Sequence, residues 1–244
     1  MSPVEPFASL QWPSDIIGRD AKQALAGQAA RRVIATLADS AAAAPRIGLG
    51  SGSTSFLTLL ALSEARRDLP PDVALVATSY EMEWYATAAG FPVVDLGADD
   101  VVVAFDGADQ VDPEGALIKG RGGAMHRERV VLAAARLELI VADATKRVPR
   151  LGGCPLPLVL RPEGIFECVR ALESIGVGPV ALRTGTGKDG PVLTESGGVL
   201  ADLLVPSGVV VTDGLDRQTR SVPGVMDTGY FAPSPKREFV AGYE

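Results

Sequence analysis

Residues 100–109 read Asp-Val-Val-Val-Ala-Phe-Asp-Gly-Ala-Asp. An almost unbroken apolar run that ends in carboxylates is typical of a strand that is buried on both faces, as in a parallel sheet covered by helices. Similar short apolar strands and helical patterns alternate on both sides of it. Further strands are predicted at 46–50, 74–79, 93–96 and 138–143. Helices are predicted at 15–41, around Phe56–Leu62, at 81–90 and at 124–135. This alternation predicts an α/β fold, Rossmann-like, with a mostly parallel sheet and flanking helices.

The pattern changes after Lys146. A strand at 156–160, a helix at 162–176, an antiparallel hairpin and a short helix at 214–224 indicate a smaller α+β unit. We therefore expect an α/β catalytic domain at 1–152 and 224–244, interrupted by a smaller α+β domain at 153–223. Residues 1–14 hold three prolines and no periodicity, which predicts a loosely ordered arm, and Ser14 or Asp15 could cap the first helix.

Composition excludes several classes of function. The net charge of −7 argues against a nucleic-acid partner. No apolar run approaches the roughly 18 residues that span a membrane, and the N-terminus does not resemble a secretory signal. Cys154 and Cys168 fit no metal-binding spacing and are expected to be buried and reduced, which favours a cytoplasmic protein. His126 is the single histidine, so a His-rich metal site is excluded and no metal is expected.

A glycine-rich segment, Gly48-Leu49-Gly50-Ser51-Gly52-Ser53-Thr54, lies between a predicted strand and a predicted helix. Such a turn presents backbone N–H groups and the positive end of a helix dipole, which suit a phosphate. The lysine of a P-loop is missing, and Ser53 replaces the third glycine of a dinucleotide fingerprint. The segment thus indicates either a site for the single phosphate of a small metabolite or a tight turn without a ligand.

Three further segments follow predicted strands. Asp106-Gly107-Ala108-Asp109 could bind sugar hydroxyls or simply form a turn, and its spacing does not fit a calcium loop. Lys119-Gly120-Arg121-Gly122-Gly123 could reach an oxyanion, and Glu128 beyond it could be a general base. From spacing alone, however, Glu128 and His126 are more simply interpreted as surface residues of a helix. Lys146, after the strand that ends at Asp143, is either an anion ligand or an exposed loop residue.

Because the carboxyl ends of parallel strands meet at one edge of a sheet, these groups together suggest proton chemistry on a phosphorylated polyol. With these segments the chain resembles the ribose-5-phosphate isomerase family, type A, over residues 20–235. The matching segments, in the family's order, are GLGSGST (48–54), TSY (78–80), DGAD (106–109), LIKGRGGAMHRER (117–129), VADATK (141–146) and PGVMDTGYF (223–231).

The resemblance implies interconversion of D-ribose 5-phosphate and D-ribulose 5-phosphate through an enediolate, with no cofactor and in a homodimer or homotetramer. It implies that Glu128 is the base, that Asp106 handles the hydroxyl proton and ring opening, and that Lys119 and Asp109 hold sugar oxygens. Lys146 would bind the phosphate, and Lys22 matches by spacing only. The other implied substrate-binding residues are Gly50, Ser51, Gly52, Ser53, Thr54, Thr78, Ser79, Gly107, Ala108, Gly120, Arg121 and Gly122.

The chain departs from the family pattern at Gln110, where the family usually has Glu, and at Arg121 and His126. Arg121 and His126 lie near the implied base, and the neutral Gln110 removes one negative charge near Asp109, so these departures bear on the range of substrates. Two alternatives stay open: an isomerase for a related pentose phosphate, and a non-catalytic sugar-phosphate sensor. A sensor that regulates transcription would need a DNA-binding motif and a basic patch, for which the first fifteen residues are too short and too acidic.

Overall fold

The computed structural model describes residues 11–97, 101–187 and 189–240. Most of the predicted N-terminal arm, residues 1–10, lies outside these ranges, and residues 11–14 belong to no helix or strand. Among the residues described, none of the helices combines the length and the apolar character that a membrane crossing requires.

The helices and strands are numbered in chain order. The helices are α1 (Arg19–Ala38), α2 (Ser53–Glu64), α3 (Tyr80–Ala88), α4 (Met125–Ala134), α5 (Ile165–Ser174) and α6 (Asp213–Arg220). The strands are β1 (Arg46–Leu49), β2 (Ala74–Ala77), β3 (Val101–Asp106), β4 (Gln110–Val111), β5 (Leu117–Ile118), β6 (Ala135–Ile140), β7 (Leu156–Leu160), β8 (Val180–Leu182), β9 (Val199–Leu203), β10 (Val225–Thr228), β11 (Tyr230–Phe231) and β12 (Arg237–Phe239). Short 3₁₀ turns lie at Arg66–Asp68 and Ala144–Lys146.

By contact density the chain divides into two compact units. Unit 1 comprises Met1–Gly107, Glu128–Thr145 and Pro235–Glu244, and unit 2 comprises Ala108–Arg127 and Lys146–Ser234. Unit 2 therefore groups more of the chain than the predicted smaller domain at 153–223, because β4, β5 and β11 form a sheet of their own and β10 pairs with β7. The predicted domain boundaries stay a prediction.

Unit 1 contains the predicted parallel sheet, with strand order β12-β6-β3-β1-β2. All four strand pairs are parallel, and every residue of β3 is buried, as the apolar run at 101–106 indicates. Gly48 permits close packing across β1, since a Cβ atom there would lie 2.5 Å from Cβ of Ala104 and 2.6 Å from Cγ1 of Val131 on α4. The predicted α/β class is confirmed.

Helices α1, α2 and α3 contribute to the core of unit 1. The rings of Trp12, Phe56 and Tyr85 form one aromatic cluster, with centroids 4.7–5.9 Å apart. Tyr85 donates a hydrogen bond from its hydroxyl to the Gln11 carbonyl at 2.7 Å. Aromatic pairs at these distances add to the stabilisation that area burial alone provides.

Two local predictions in unit 1 are wrong. Helix α1 begins at Arg19 and not near residue 15; its N-cap is Gly18, with φ of 67°, so neither Ser14 nor Asp15 caps it. Glycine adopts this left-handed conformation without strain, and the chain enters the helix there. The predicted strand at 93–96 is reduced to a single bridge between Val93 and Leu75, and the Asp95 carbonyl accepts a hydrogen bond from the Arg46 side chain at 3.2 Å.

Unit 2 contains two antiparallel sheets, with strand orders β10-β7-β9-β8 and β11-β5-β4. The predicted strand at 156–160 is β7, and the predicted hairpin supplies β8 and β9. Buried leucines of β7 and β9 pack against Cys168 and Leu172 of α5. These elements confirm the α+β character that the sequence after Lys146 predicts.

Replacing Arg237 by Ala is expected to lower the free energy of unfolding by about 3–5 kcal/mol, because it leaves a carboxylate buried without its partner. Arg237 on β12 lies opposite Glu138 on β6, and its Nε and Nη2 donate to Oε2 of Glu138 at 3.0 and 2.8 Å. The side chains are only 5% and 7% exposed. Urea unfolding followed by circular dichroism measures the loss. A change of about 1 kcal/mol or less, the value of a surface pair, would contradict this account.

Candidate active site

The glycine-rich segment forms the connection between β1 and α2 in unit 1. Gly52 is the N-cap of α2, with φ of 89°, and no side chain of the described residues caps this helix. The Ser51 and Thr78 hydroxyl oxygens lie 2.7 Å apart, and Thr78 also donates to the Leu49 carbonyl at 3.0 Å. A helix N-terminus without a side-chain cap offers backbone N–H groups and the positive end of the helix dipole, a combination that suits anions in general.

Lys22 adds a positive charge to this helix end. It lies in the first turn of α1, and its Nζ donates to Oγ of Ser53 at 3.4 Å. The two helices pack against each other. Lys22 matches the family by spacing only, yet the structure places it on the predicted phosphate loop.

Asp106 ends β3 and lies directly against the same loop. The residue is 1% exposed, and its Oδ1 accepts a hydrogen bond from the Gly107 amide at 2.7 Å. A Cβ atom on Gly50 would lie 2.3 Å from Cγ of Asp106, so only glycine permits this approach. The Gly50 amide donates to the Phe105 carbonyl at 2.9 Å, which holds the loop beside the end of β3.

Glu128 lies on α4 and is only 5% exposed. The interpretation that spacing alone favours, an exposed surface carboxylate, is therefore wrong. In this helix, which begins at Met125, consecutive residues point about 100° apart around the axis, so the charges beside Glu128 do not indicate how Glu128 itself is placed. Burying a carboxylate is unfavourable unless the protein compensates it, and buried titratable groups are enriched at functional sites.

His126, two residues earlier, is more exposed, with 36% of its side chain accessible. Its Nδ1 lies 3.0 Å from Oδ2 of Asp227, a buried carboxylate of β10. Asp227 also pairs with Arg220. His126 is thus a partly exposed helix residue that is anchored to an internal ion-pair network.

Ser79 has a structural part in unit 1. Its side-chain oxygen accepts a hydrogen bond from the Met82 amide at 3.2 Å, so it is the N-cap of α3. Replacing a serine N-cap generally costs about 1 kcal/mol, which explains a serine here independently of any ligand. Thr78, and not Ser79, makes the contact with the glycine-rich loop.

In unit 2, Asp109 and Lys119 stand at the ends of paired strands. The Asp109 amide donates to the Ile118 carbonyl at 2.8 Å, and Lys119 follows β5 directly. Lys119 is 3% exposed; its amide donates to the Gly229 carbonyl at 2.9 Å, and its Nζ lies 5.8 Å from the Phe231 ring centroid. A lysine this deeply buried is rare in proteins.

The loop after Lys119 is tied back to Asp109. The Arg121 amide donates to Oδ2 of Asp109 at 3.0 Å, and the Arg121 side chain, 81% exposed, lies 3.7 Å from Oδ1. Gly120 and Gly123 adopt φ of 101° and 91°, conformations that favour glycine. The sequence does not predict that Arg183 contacts this loop. Its Nη1 donates to the carbonyls of Gly120 and Arg121. No local motif marks a contact between residues so far apart in the chain.

Gln110 has a role that the family's usual Glu could not fill. Its amide nitrogen donates to the Gly152 carbonyl at 2.8 Å, and its amide oxygen accepts from the Gly152 N–H at 2.9 Å. A carboxylate could accept the second bond but could not donate the first. This departure therefore changes a backbone anchor as well as a charge near Asp109.

Lys146 closes the 3₁₀ turn at Ala144–Lys146 and is half-buried. Asp143 accepts a hydrogen bond from the Thr145 amide at 2.9 Å, which forms this turn.

In the described part of the chain, no three His, Cys, Asp or Glu side chains cluster as a metal site would require. Both thiols are free, and Cys168 is buried as predicted, whereas the prediction of burial is wrong for Cys154, which is half-buried. Burial raises the pKa of Cys168, and burial together with Asp109 and Asp202 raises the pKa of Cys154.

The predicted site residues divide between the two units. Unit 1 holds Lys22, Gly50–Thr54, Thr78, Ser79, Asp106, Gly107 and Glu128, and unit 2 holds Ala108, Asp109, Lys119–Gly122 and Lys146. Within unit 1, the glycine-rich loop contacts three of the other predicted residues. Ser53 contacts Lys22, Ser51 contacts Thr78, and Gly50 lies against Asp106. Within unit 2, Asp109 meets the loop that follows Lys119.

These segments also occur together in known proteins. The model of the family described as ribose 5-phosphate isomerase A (phosphoriboisomerase A) matches residues 74–244. The chain belongs to the ribose-5-phosphate isomerase A family. It is 38% identical over 187 residues to the ribose-5-phosphate isomerase A of Methanothermobacter thermautotrophicus, which covers 76% of this chain and 81% of the relative. It is 35% identical to that of Thermosynechococcus vestitus over 223 residues, 89% of each chain.

Solved structures of this family share the fold. The ribose 5-phosphate isomerase A of Methanocaldococcus jannaschii superposes with a TM-score of 0.78 at 30% identity, covering 91% of this chain and 95% of that one. A D-ribose-5-phosphate isomerase in complex with phospho-erythronic acid superposes with a TM-score of 0.74 at 32% identity, covering 85% and 90%. The chain is thus an aldose–ketose isomerase of this family.

Proposed function

We propose that this chain interconverts D-ribose 5-phosphate and D-ribulose 5-phosphate without a metal or an organic cofactor, as a step of the non-oxidative pentose phosphate pathway. Membership of the ribose-5-phosphate isomerase A family supports the reaction. The assignment of Glu128 as the base depends on one observation, its burial. This carboxylate is only 5% exposed, and it lies in the segment 117–129 that matches the family. A carboxylate held in the protein interior is one of the groups that enzymes use as a general base.

In this mechanism Glu128 removes the proton from C2 of the open-chain aldose, which leaves an enediolate across C1 and C2. Glu128 then returns the proton to C1. Asp106 assists ring opening and carries a proton from the C2 hydroxyl to the C1 oxygen, so no proton is gained or lost overall. Lys119 stabilises the negative charge of the enediolate, and a preorganised donor in that role generally lowers the activation free energy by about 3–4 kcal/mol. Asp109 binds sugar hydroxyls.

The substrate's phosphate is proposed to bind at the N-terminus of α2. The backbone N–H groups of this helix end, the hydroxyls of Ser51, Ser53 and Thr54, and the Lys22 ammonium 3.4 Å from Ser53 support this location. Lys146 is proposed as a further phosphate ligand. The phospho-erythronic acid bound by the neighbouring structure is a phosphorylated sugar acid, which supports the same class of ligand.

Isomerisation of D-ribose 5-phosphate by the purified protein tests the proposal. After treatment with EDTA and gel filtration, the ketopentose is expected to form at the rate of the untreated protein. The same assay is run with other pentose 5-phosphates and with 2-deoxyribose 5-phosphate, which cannot form the enediolate. Binding of ribose 5-phosphate without turnover would favour the related-pentose or sensor alternative, whereas loss of activity with EDTA that a divalent cation restores would refute the cofactor-free reaction.

The assembly and location are proposed on the same resemblance. The family supports a homodimer or homotetramer, and the two free thiols support a cytoplasmic, reducing environment. Sedimentation velocity at several protein concentrations separates a monomer from these two assemblies.

A further inference from the structure

Arg183 is a partly buried cation of unit 2 that the reaction described above does not use. It follows β8, and its side chain is 20% exposed. Nε and Nη2 donate to the two carboxylate oxygens of Asp202 at 2.6 and 2.7 Å, which is the bidentate geometry that fixes a guanidinium plane most strongly. Asp202 lies on β9, the strand between β7 and β8, so the carboxylate is held by the sheet itself.

The third nitrogen of this guanidinium is directed at the loop after Lys119. Nη1 donates to the Gly120 carbonyl at 3.1 Å and to the Arg121 carbonyl at 2.6 Å. Both peptide bonds of this segment are trans, so the N–H of each peptide points away from its carbonyl and hence away from Arg183. The Arg121 N–H accordingly bonds Asp109, on the other side of the loop.

The side chain of Arg183 is not needed to hold its own strand. The Arg183 amide donates to the Leu200 carbonyl at 2.9 Å, and the Val192 amide donates to the Arg183 carbonyl at 2.8 Å. These backbone bonds remain when the side chain is shortened. The Gly120–Arg121 peptide is also held by Asp109 at its N–H and by the Gly123 amide at its carbonyl. The guanidinium adds a bond to that carbonyl and a second one to the next carbonyl, that of Arg121, next to Lys119.

We propose that Arg183, oriented by Asp202, is a positioning residue for the isomerisation: it holds the loop Gly120–Gly122 so that the Lys119 ammonium and the Gly122 N–H face the substrate oxygens. This inference rests on the proposed role of Lys119. An error of about 1 Å in the position of a catalytic group can reduce the rate about 100-fold. Loss of the two hydrogen bonds from Arg183 to the loop is therefore enough to lower kcat substantially.

The test compares Arg183→Ala and Arg183→Lys in steady-state turnover of ribose 5-phosphate. Arg183→Ala is expected to lower kcat about 100-fold while KM changes less than about threefold, since the lost interaction acts mainly in the transition state. Arg183→Lys keeps the charge but lacks the planar fork, so it recovers only part of kcat. Ethylguanidinium added to Arg183→Ala is expected to restore kcat saturably, which a merely structural role would not produce.

Arg237→Ala is the matched control, since it also removes an arginine that donates twice to one carboxylate group, here to the single oxygen Oε2 of the buried Glu138. It is expected to keep kcat within about twofold at a temperature where it stays folded, and ethylguanidinium is expected to leave its kcat unchanged. If Arg183→Ala does not fold, Arg183→Lys and Asp202→Asn carry the test, and both must lower kcat.

Lys119→Met distinguishes a failure of the proposed active site from a failure of the positioning role of Arg183. If Lys119→Met loses turnover and the folded Arg183 variants keep wild-type kcat, the positioning role is refuted and the proposed site stands. If Lys119→Met itself keeps wild-type kcat, the proposed site is refuted, and with it the inference. Loss of kcat in both, with rescue of Arg183→Ala by ethylguanidinium, supports the inference.

Discussion

Replacing Glu128 by Gln is expected to abolish turnover while leaving the affinity for the substrate nearly unchanged. The amide is close to the carboxylate in size but cannot accept the C2 proton, and general-base catalysis typically contributes about 10²–10⁴-fold to the rate. Turnover is measured by ketopentose formation, and affinity by calorimetric titration with phospho-erythronic acid. Substrate deuterated at C2 adds an independent measurement, because the variant should retain the label.

Glu238→Gln is the control for this experiment. It makes the same chemical change at the surface, where Glu238 pairs with Arg32 and is 49% exposed. Its kcat is expected to equal that of the wild type. An equal loss of binding and turnover in Glu128→Gln would instead make Glu128 a group that positions the substrate.

Gly50→Ala is expected to reduce kcat/KM about 100-fold, since the added methyl group must displace either the glycine-rich loop or Asp106 by about 1 Å. The new Cβ atom would lie 2.3 Å from Cγ and 2.4 Å from Oδ1 of Asp106. Overpacking of this kind also lowers the free energy of unfolding by about 1–3 kcal/mol. Steady-state kinetics and thermal unfolding measure the two effects separately.

Gly27→Ala is the matched control for Gly50→Ala. Gly27 lies within α1, and a Cβ atom there would meet only the Arg31 guanidinium at an ordinary 3.6 Å. Alanine is expected to stabilise this helix by about 0.5–1 kcal/mol without changing the kinetics. If Gly50→Ala kept the kcat/KM of the wild type, as is expected of Gly27→Ala, the close approach of Gly50 to Asp106 would not be needed for activity.

The parts of this protein that are predictable from sequence are those that local patterns determine. The apolar run of β3 indicates its burial directly, and the change of pattern after Lys146 indicates the α+β elements. The placement of Glu128 depends on what α4 packs against, so neighbouring charges suggested a surface residue, and only the family resemblance indicated its role. The contacts of Arg183 and Gln110 join residues that are distant in the chain, and no spacing encodes them.

The strand order of unit 1 has a consequence for synthesis on the ribosome. β12 pairs with β6, yet Arg237 follows Glu138 by 99 residues. At about 5–20 residues per second, a nascent chain exposes the edge of β6 for roughly 5–20 s before its neighbour emerges. During that interval Glu138 is a charge without its arginine on an open edge, and such a charge disfavours pairing with a foreign strand. The same carboxylate that is neutralised inside the finished sheet thus protects the unfinished one from aggregation.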